Sequence, residues 1–92
     1  MPNIEIYGKS QKEAAIIESQ IAEVFCGKPW ENDYIVTIIP STAHDKEGKD
    51  APYLRLSSTK HPRNEEILIC LQKLLYMDIE FLELSAFYPA IE

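Results

Sequence analysis

The run MPNIEIYGKSQKE (residues 1–13) encodes a strand that leads directly into a helix. Apolar and polar side chains alternate from Asn3 to Tyr7, which predicts a strand that ends at Gly8. Ser10 and Glu13 then fit a capping box, in which each side chain bonds the backbone amide of the other residue. A helix is therefore expected to begin at this point.

The remainder of the chain repeats the same order of elements. We identify the helices from apolar positions at helical spacing and the strands from β-branched runs. The boundaries of these elements are set by breaks at Gly27, Pro29 and Pro40. The predicted elements after the first strand are a helix over about 10–25, a strand over 34–39, a polar loop over 41–51, a strand over 53–58, a helix over about 63–76 and a strand from Ile79 to about Leu84.

This order predicts an α+β fold in one domain, residues 1–92. Two βαβ units, each about 30 residues long, have the usual size of a parallel strand pair with a crossover helix. We expect a four-stranded mixed sheet with both helices on one face. The strand over 34–39 alternates little in polarity, which predicts an interior strand covered on both faces. Because two helices cannot cover both faces, we expect a homo-oligomer.

Composition limits the classes of function. The 92 residues carry a net charge of -6, which disfavours nucleic acid as a partner. No apolar run approaches the roughly 20 residues that span a bilayer, and no signal peptide is recognisable, so we expect no membrane association and a cytoplasmic location. Cys26 and Cys70 are expected to be reduced and mostly buried. His44 and His61 lack metal-ligand spacing, so neither a metal nor a cofactor is expected.

Pro2 is the residue with the clearest chemical potential. A cytosolic processing enzyme normally removes Met1 before so small a residue, which would expose the secondary amine of Pro2. An α-amine has a pKa of about 7.7–8.0, and burial would lower this pKa further. A base near neutrality suits proton abstraction next to a carbonyl. The alternative is that Pro2 is simply a common second residue ahead of an edge strand.

Three motifs, taken in order and spacing, resemble the tautomerase superfamily, and most nearly its macrophage migration inhibitory factor branch. They are Met1-Pro2 with the strand that follows, Gly27-Lys28-Pro29, and the β-branched strand that closes on Pro40. Members of this superfamily use an N-terminal proline as catalytic base on a βαβ-repeat fold assembled as trimers. The resemblance therefore implies a trimer that acts on a small-molecule substrate.

The resemblance also implies roles for individual residues. Pro2 matches the catalytic base, and Lys28 matches a lysine that neutralises a substrate carboxylate. Phe81 falls where the family places a pocket aromatic residue. Glu83 stands where the family has asparagine, and the arginines of the oxalocrotonate-type enzymes are absent from the matching positions. From the residues alone, Lys28 is equally well explained as a helix-terminal lysine, and Phe81 is better explained as a core residue.

Two hypotheses remain open from the sequence. In the first, the protein is a cytoplasmic tautomerase in which Pro2 moves a proton between carbon and oxygen of an enolisable keto acid. In the second, it is a non-catalytic assembly protein with either a tautomerase-like or a ferredoxin-like fold. The two folds share their order of elements but differ in sheet order. Tautomerases pair the strands of each βαβ unit directly, whereas a ferredoxin-like sheet separates them by another strand.

Overall fold

The order of elements is the predicted one. A computed structural model describes residues 1–40 and 42–85 of the chain. Its elements are β1 (Asn3–Tyr7), α1 (Gln11–Phe25), β2 (Ile35–Ile39), β3 (Tyr53–Thr59), α2 (Arg63–Leu74) and β4 (Asp78–Leu84).

The capping box predicted at the start of α1 is present. The Glu13 amide donates to Ser10 Oγ at 3.2 Å, and the Ser10 amide donates to the Glu13 carboxylate at 3.4 Å. These hydrogen bonds with Ser10, together with the charge of Lys9, lower the pKa of Glu13. The cap fixes the start of α1. Only three residues separate the end of β1 from the start of α1, so the helix turns back at once across the sheet.

The strand order in the sheet is β2-β1-β3-β4. β1 pairs with β2 in parallel and with β3 in antiparallel orientation, and β3 pairs with β4 in parallel. The two strands of each βαβ unit are therefore neighbours, with no strand inserted between them. This arrangement confirms the mixed sheet of two βαβ units and is incompatible with the ferredoxin-like alternative.

The core lies between one face of the sheet and the two helices, as predicted. Alternate residues of the two central strands point toward the helices and are buried, and each helix contributes one apolar stripe. The aromatic rings of Phe25 and Tyr34 stack with centroids 4.1 Å apart, which joins the end of α1 to the start of β2. The buried apolar residues are Ile4, Ile6, Ala14, Ile17, Ile21, Phe25, Leu54, Leu56, Ile67, Leu71 and Leu75.

The prediction that residues 34–39 form an interior strand is wrong. β2 lies at an edge of the sheet, and only alternate side chains of it, those of Val36 and Ile38, pack against the core. The side chain of Ile35 is 46% exposed. β-Branched residues favour any pleated strand, so the low polarity of this run predicted a strand correctly but did not report its position in the sheet.

The face of the sheet away from the helices carries a cluster of aromatic and charged side chains. Tyr7 and Tyr53 stack at 4.6 Å, and the Arg55 guanidinium lies over both rings and donates to Glu80 at 2.6 Å. A hydrogen bond to Glu5 is the main cause that raises the pKa of Tyr7. Within residues 1–40 and 42–85, no helix or strand covers this outer face.

Both cysteines are free thiols, but their expected burial is only partly correct. Cys26 is exposed, because it follows the last turn of α1 on the surface, and Cys70 is half-buried on α2. Among the described helices, none is long and apolar enough to cross a membrane.

Candidate active site

One end of the sheet brings the candidate residues into the same region. β1 begins at this end, and β3, which runs antiparallel to β1, finishes there. α2 therefore starts at this end, and α1, which runs back across the sheet after β1, finishes there. Pro2 precedes β1 and Lys28 follows α1, so both residues predicted to act on a substrate belong to this end of the fold.

Pro2 is buried and fixed by a backbone hydrogen bond. Its side chain is less than 2% exposed, and its carbonyl accepts a hydrogen bond from the Ile35 amide at 2.9 Å. Met1, which is joined to the Pro2 nitrogen, is 50% exposed. While Met1 is attached, that nitrogen is a tertiary amide and cannot take up a proton. Removal of Met1 would leave a secondary amine at the boundary between the core and solvent.

The sheet register sets Pro2 in a row with two polar residues. Asn3 pairs with Ser57, so the next residue outward, Pro2, lies opposite Ser58. Ser58 in turn pairs with Glu83 on β4. Because neighbouring strands are about 4.8 Å apart, Pro2 and Glu83 are separated by roughly 10 Å across the helix-covered face. Ser58 stands between them.

A cavity of about 420 Å³ lies beside Glu83, between β4 and the first turns of α2. Phe81 lines this cavity and also packs against the core. The residues around the cavity are Lys60, His61, Pro62, Asn64, Glu65, Leu68, Phe81 and Glu83. Pro2 and Lys28 are not among them, so this cavity, as the described residues form it, does not bring all three predicted site residues together.

Lys28 contacts a carboxylate of its own chain. Its ammonium donates to Glu66 on α2 at 2.6 Å. That hydrogen bond, and then the charge of Glu66, raise the pKa of Lys28. Both side chains are substantially exposed, at 38% and 44%. Solvent screening weakens such a pair, so Glu66 holds the Lys28 ammonium only weakly.

Two further polar residues at this end were not predicted from the sequence as site residues. Arg63, in the first turn of α2, donates to Asp33 at 2.8 Å, and its side chain is only 11% exposed. Ser58 is 1% exposed. Its parity with Leu54 and Leu56 along the strand was the signal that could have identified a hydroxyl on the core-facing side.

Metal binding has no support within the residues that the structure describes. In that part of the chain, no three His, Cys, Asp or Glu side chains come together in a way that could hold an ion.

Comparison with known proteins identifies the fold. No protein-family model and no curated protein sequence matches the chain. Solved structures do match. A fused 4-OT, described as the W0 wild type symmetric trimer, has a TM-score of 0.55 at 8% identity over 91% of this chain and 86% of that one.

Two other solved structures show the same likeness. Native Ps01740 has a TM-score of 0.53 at 11% identity over 92% of this chain and 94% of that one. The macrophage migration inhibitory factor-like protein of Entamoeba histolytica has a TM-score of 0.53 at 16% identity over 96% and 93%. Identities this low establish the fold alone. At that level, the four-stranded mixed sheet of two βαβ units that the sequence predicted is confirmed.

The two ion pairs at this end should differ in their effect on stability. Asp33→Ala leaves the mostly buried Arg63 guanidinium without its acceptor, which should lower the free energy of unfolding by about 1–3 kcal/mol. Glu66→Ala should leave the denaturation midpoint unchanged within error, because the Lys28 pair is exposed. Urea denaturation measures both, with the exposed Glu47→Ala as control. A larger loss for Glu66→Ala than for Asp33→Ala would contradict this ranking.

Proposed function

We propose that the protein is a tautomerase-like isomerase in which Pro2, freed by removal of Met1, is the general base for keto-enol isomerisation of a small keto acid. The observation that carries this proposal is the setting of Pro2. Its ring is buried, its carbonyl is held by Ile35, and the residue attached to its nitrogen is half exposed. Excision of Met1 would therefore open the nitrogen while the ring stays fixed.

The chemistry follows from that setting. Burial disfavours the charged prolinium, so the pKa of the free Pro2 amine is expected to lie below that of an ordinary α-amine. The neutral amine can then take the proton from the enol oxygen. It returns that proton to the other carbon of the enol double bond as the C=O bond of the keto form develops. The reaction needs a base, a fixed geometry and a charge partner for the substrate, and these require neither a cofactor nor a metal.

Lys28 is the proposed partner for the substrate carboxylate. An anionic substrate would replace Glu66 at the ammonium, and the exposure of both side chains supports this exchange. Phe81 is proposed to supply an apolar wall. Since the cavity beside Phe81 includes neither Pro2 nor Lys28, we propose that the site is completed between subunits, with Phe81 contributed by a neighbouring copy.

The proposed assembly is a homotrimer of single-domain chains. The outer face of the sheet is uncovered within the described residues, and Ile35 and Leu82 on this face are 46% and 41% exposed. The similar fused 4-OT is described as a symmetric trimer. A cytoplasmic location is part of the same proposal, and the two free thiols are in keeping with a reducing compartment.

Replacement of Pro2 tests the proposed base. Wild-type protein is expected to accelerate ketonisation of an aryl enol-pyruvate, and Pro2→Ala should reduce the rate constant at least about 100-fold, the smaller effect usual for loss of a general base. Pro40→Ala, at the exposed end of β2, is the matched control and should keep the wild-type rate. The rate constants of the wild type and of both variants are measured from the loss of substrate absorbance.

The same preparations need an intact mass. The proposal expects the mass of the chain without Met1 in every active sample. An active sample that retains Met1, or an unaltered rate for Pro2→Ala, would place the base elsewhere. If the processed wild-type chain shows no acceleration at all, the non-catalytic assembly protein becomes the better account.

Solution mass tests the assembly separately. Light scattering should give three times the 10.6 kDa of one chain, because a trimer would cover the outer face of the sheet. The value should hold across a dilution series in the micromolar range. A mass equal to one chain at all concentrations would contradict a site completed between subunits.

A further inference from the structure

The Ser58 hydroxyl is buried without a hydrogen-bond partner. Ser58 is 1% exposed, and within the described part of the chain its Oγ contacts no donor or acceptor. Buried hydroxyls are nearly always bonded, so an orphaned one calls for a physical explanation. The Asn64 amide donates to the carbonyl of the adjacent Thr59 at 2.9 Å, and no hydrogen bond joins Asn64 to Ser58 Oγ.

The backbone sets Ser58 beside the Pro2 ring. The Pro2 carbonyl points toward β2, where it bonds the Ile35 amide. Backbone groups alternate in direction along a strand, so the paired residues Asn3 and Ser57 direct theirs at each other. Pro2 and Ser58 then form the adjacent non-hydrogen-bonded pair, the kind in which Cα atoms approach to about 4.5 Å and side chains are closest.

We propose that Ser58 Oγ forms a hydrogen bond with the Pro2 amine nitrogen once Met1 has been removed, and so positions the base. The nitrogen that Met1 acylates offers no proton and is a poor acceptor, which accounts for the orphaned hydroxyl in the unprocessed chain. The free amine offers both a proton and a lone pair. This inference rests on the proposed function only in requiring removal of Met1, and it does not require turnover.

Ser58 suits this role better than the other orphaned groups. The unpartnered Trp30 Nε1 and Arg63 Nε are donors only, so neither could accept a proton from prolinium. Both the neutral secondary amine and prolinium carry an N–H from which the hydroxyl can accept, so Ser58 can hold Pro2 through both halves of a proton transfer while the lone pair stays free for the substrate proton.

The bond should also affect the titration of Pro2. A hydrogen bond to a charged donor is stronger than one between neutral groups, so Ser58 favours prolinium and raises the pKa of Pro2 against the effect of burial. The charged and titratable groups on the elements around this pair are Glu83 on β4, Lys60, His61 and Glu65 beside the cavity, and the Arg63–Asp33 and Lys28–Glu66 pairs. Their charges remain the same in a Ser58 variant.

The test compares Ser58→Ala, Ser58→Thr and the control Ser57→Ala in two forms of the full chain. One form lacks Met1, and the other retains it because methionine aminopeptidase is inhibited during expression; intact mass identifies each. Ser58→Ala should lower the thermal midpoint of the processed form more than that of the Met1-retaining form. Ser57→Ala, on the opposite face of β3, should affect both forms equally.

A pH titration of ¹⁵N-labelled Pro2 in the processed proteins gives a second measurement. Ser58→Ala should lower the apparent pKa of Pro2, Ser58→Thr should restore it because the hydroxyl remains, and Ser57→Ala should leave it unchanged. If Ser58→Ala does not fold, Ser58→Cys, with its weaker hydrogen bond, replaces it and should lower the pKa in the same direction.

The inference would be overturned if Ser58→Ala lowered the stability of the two forms equally, or if Ser58 substitutions left the apparent pKa of Pro2 unchanged. Both measurements are made without substrate. If the protein lacks isomerase activity but shows the expected changes in thermal midpoint and in the pKa of Pro2, the Ser58–Pro2 hydrogen bond is supported and the proposed function is refuted. If activity depends on Pro2 but Ser58 substitutions do not change the pKa of Pro2, the proposed function is retained and the Ser58–Pro2 hydrogen bond is refuted.

Discussion

The direct parallel pairing of β1 with β2 is the constraint on which the other features depend. The bond from the Ile35 amide to the Pro2 carbonyl is the first of this ladder. Because the two strands are neighbours, α1 crosses one face of the sheet, and β3 pairs with the other edge of β1. The helices then cover one face, the other stays uncovered by described elements, and the start of β1 lies inside the structure beside the end of β3. The same pairing that sets the topology buries Pro2.

Local signals in the sequence predicted the elements well. The alternation in β1, the capping box at Ser10 and Glu13, and the apolar stripes of both helices depend on neighbours within four residues, and the structure has each of them. The place of β2 in the sheet could not be predicted in this way, since it depends on which edge of β1 remains free for β3. The exposure of Cys26 was missed for a similar reason, because the packing around the end of α1 is set by elements distant in sequence.

The arrangement of the candidate site could not be predicted from the sequence. Pro2 was proposed from the chemistry of its amine, and Lys28 and Phe81 from the resemblance to a known family, but sequence spacing carries no information on which carboxylate faces Lys28 or which cavity Phe81 lines. Glu66 and Ser58 belong to the second βαβ unit and meet the first only in the folded chain. The site therefore draws on both units: the first supplies the proposed base and cation, and the second supplies the groups that would control them. A similar fold at 8–16% identity leaves those controlling residues free to differ.

The central claim is that burial at the start of β1 makes the Pro2 nitrogen a base near neutral pH, and competitive acylation tests it most directly. Trace labelling of the processed chain with acetic anhydride over a range of pH, followed by mass spectrometry of the N-terminal peptide, gives the apparent pKa of that amine alone. The account predicts a value below the ordinary α-amine range of about 7.7–8.0, because the charged form is desolvated. A value at or above that range, or an N-terminal peptide that still carries Met1, would contradict it.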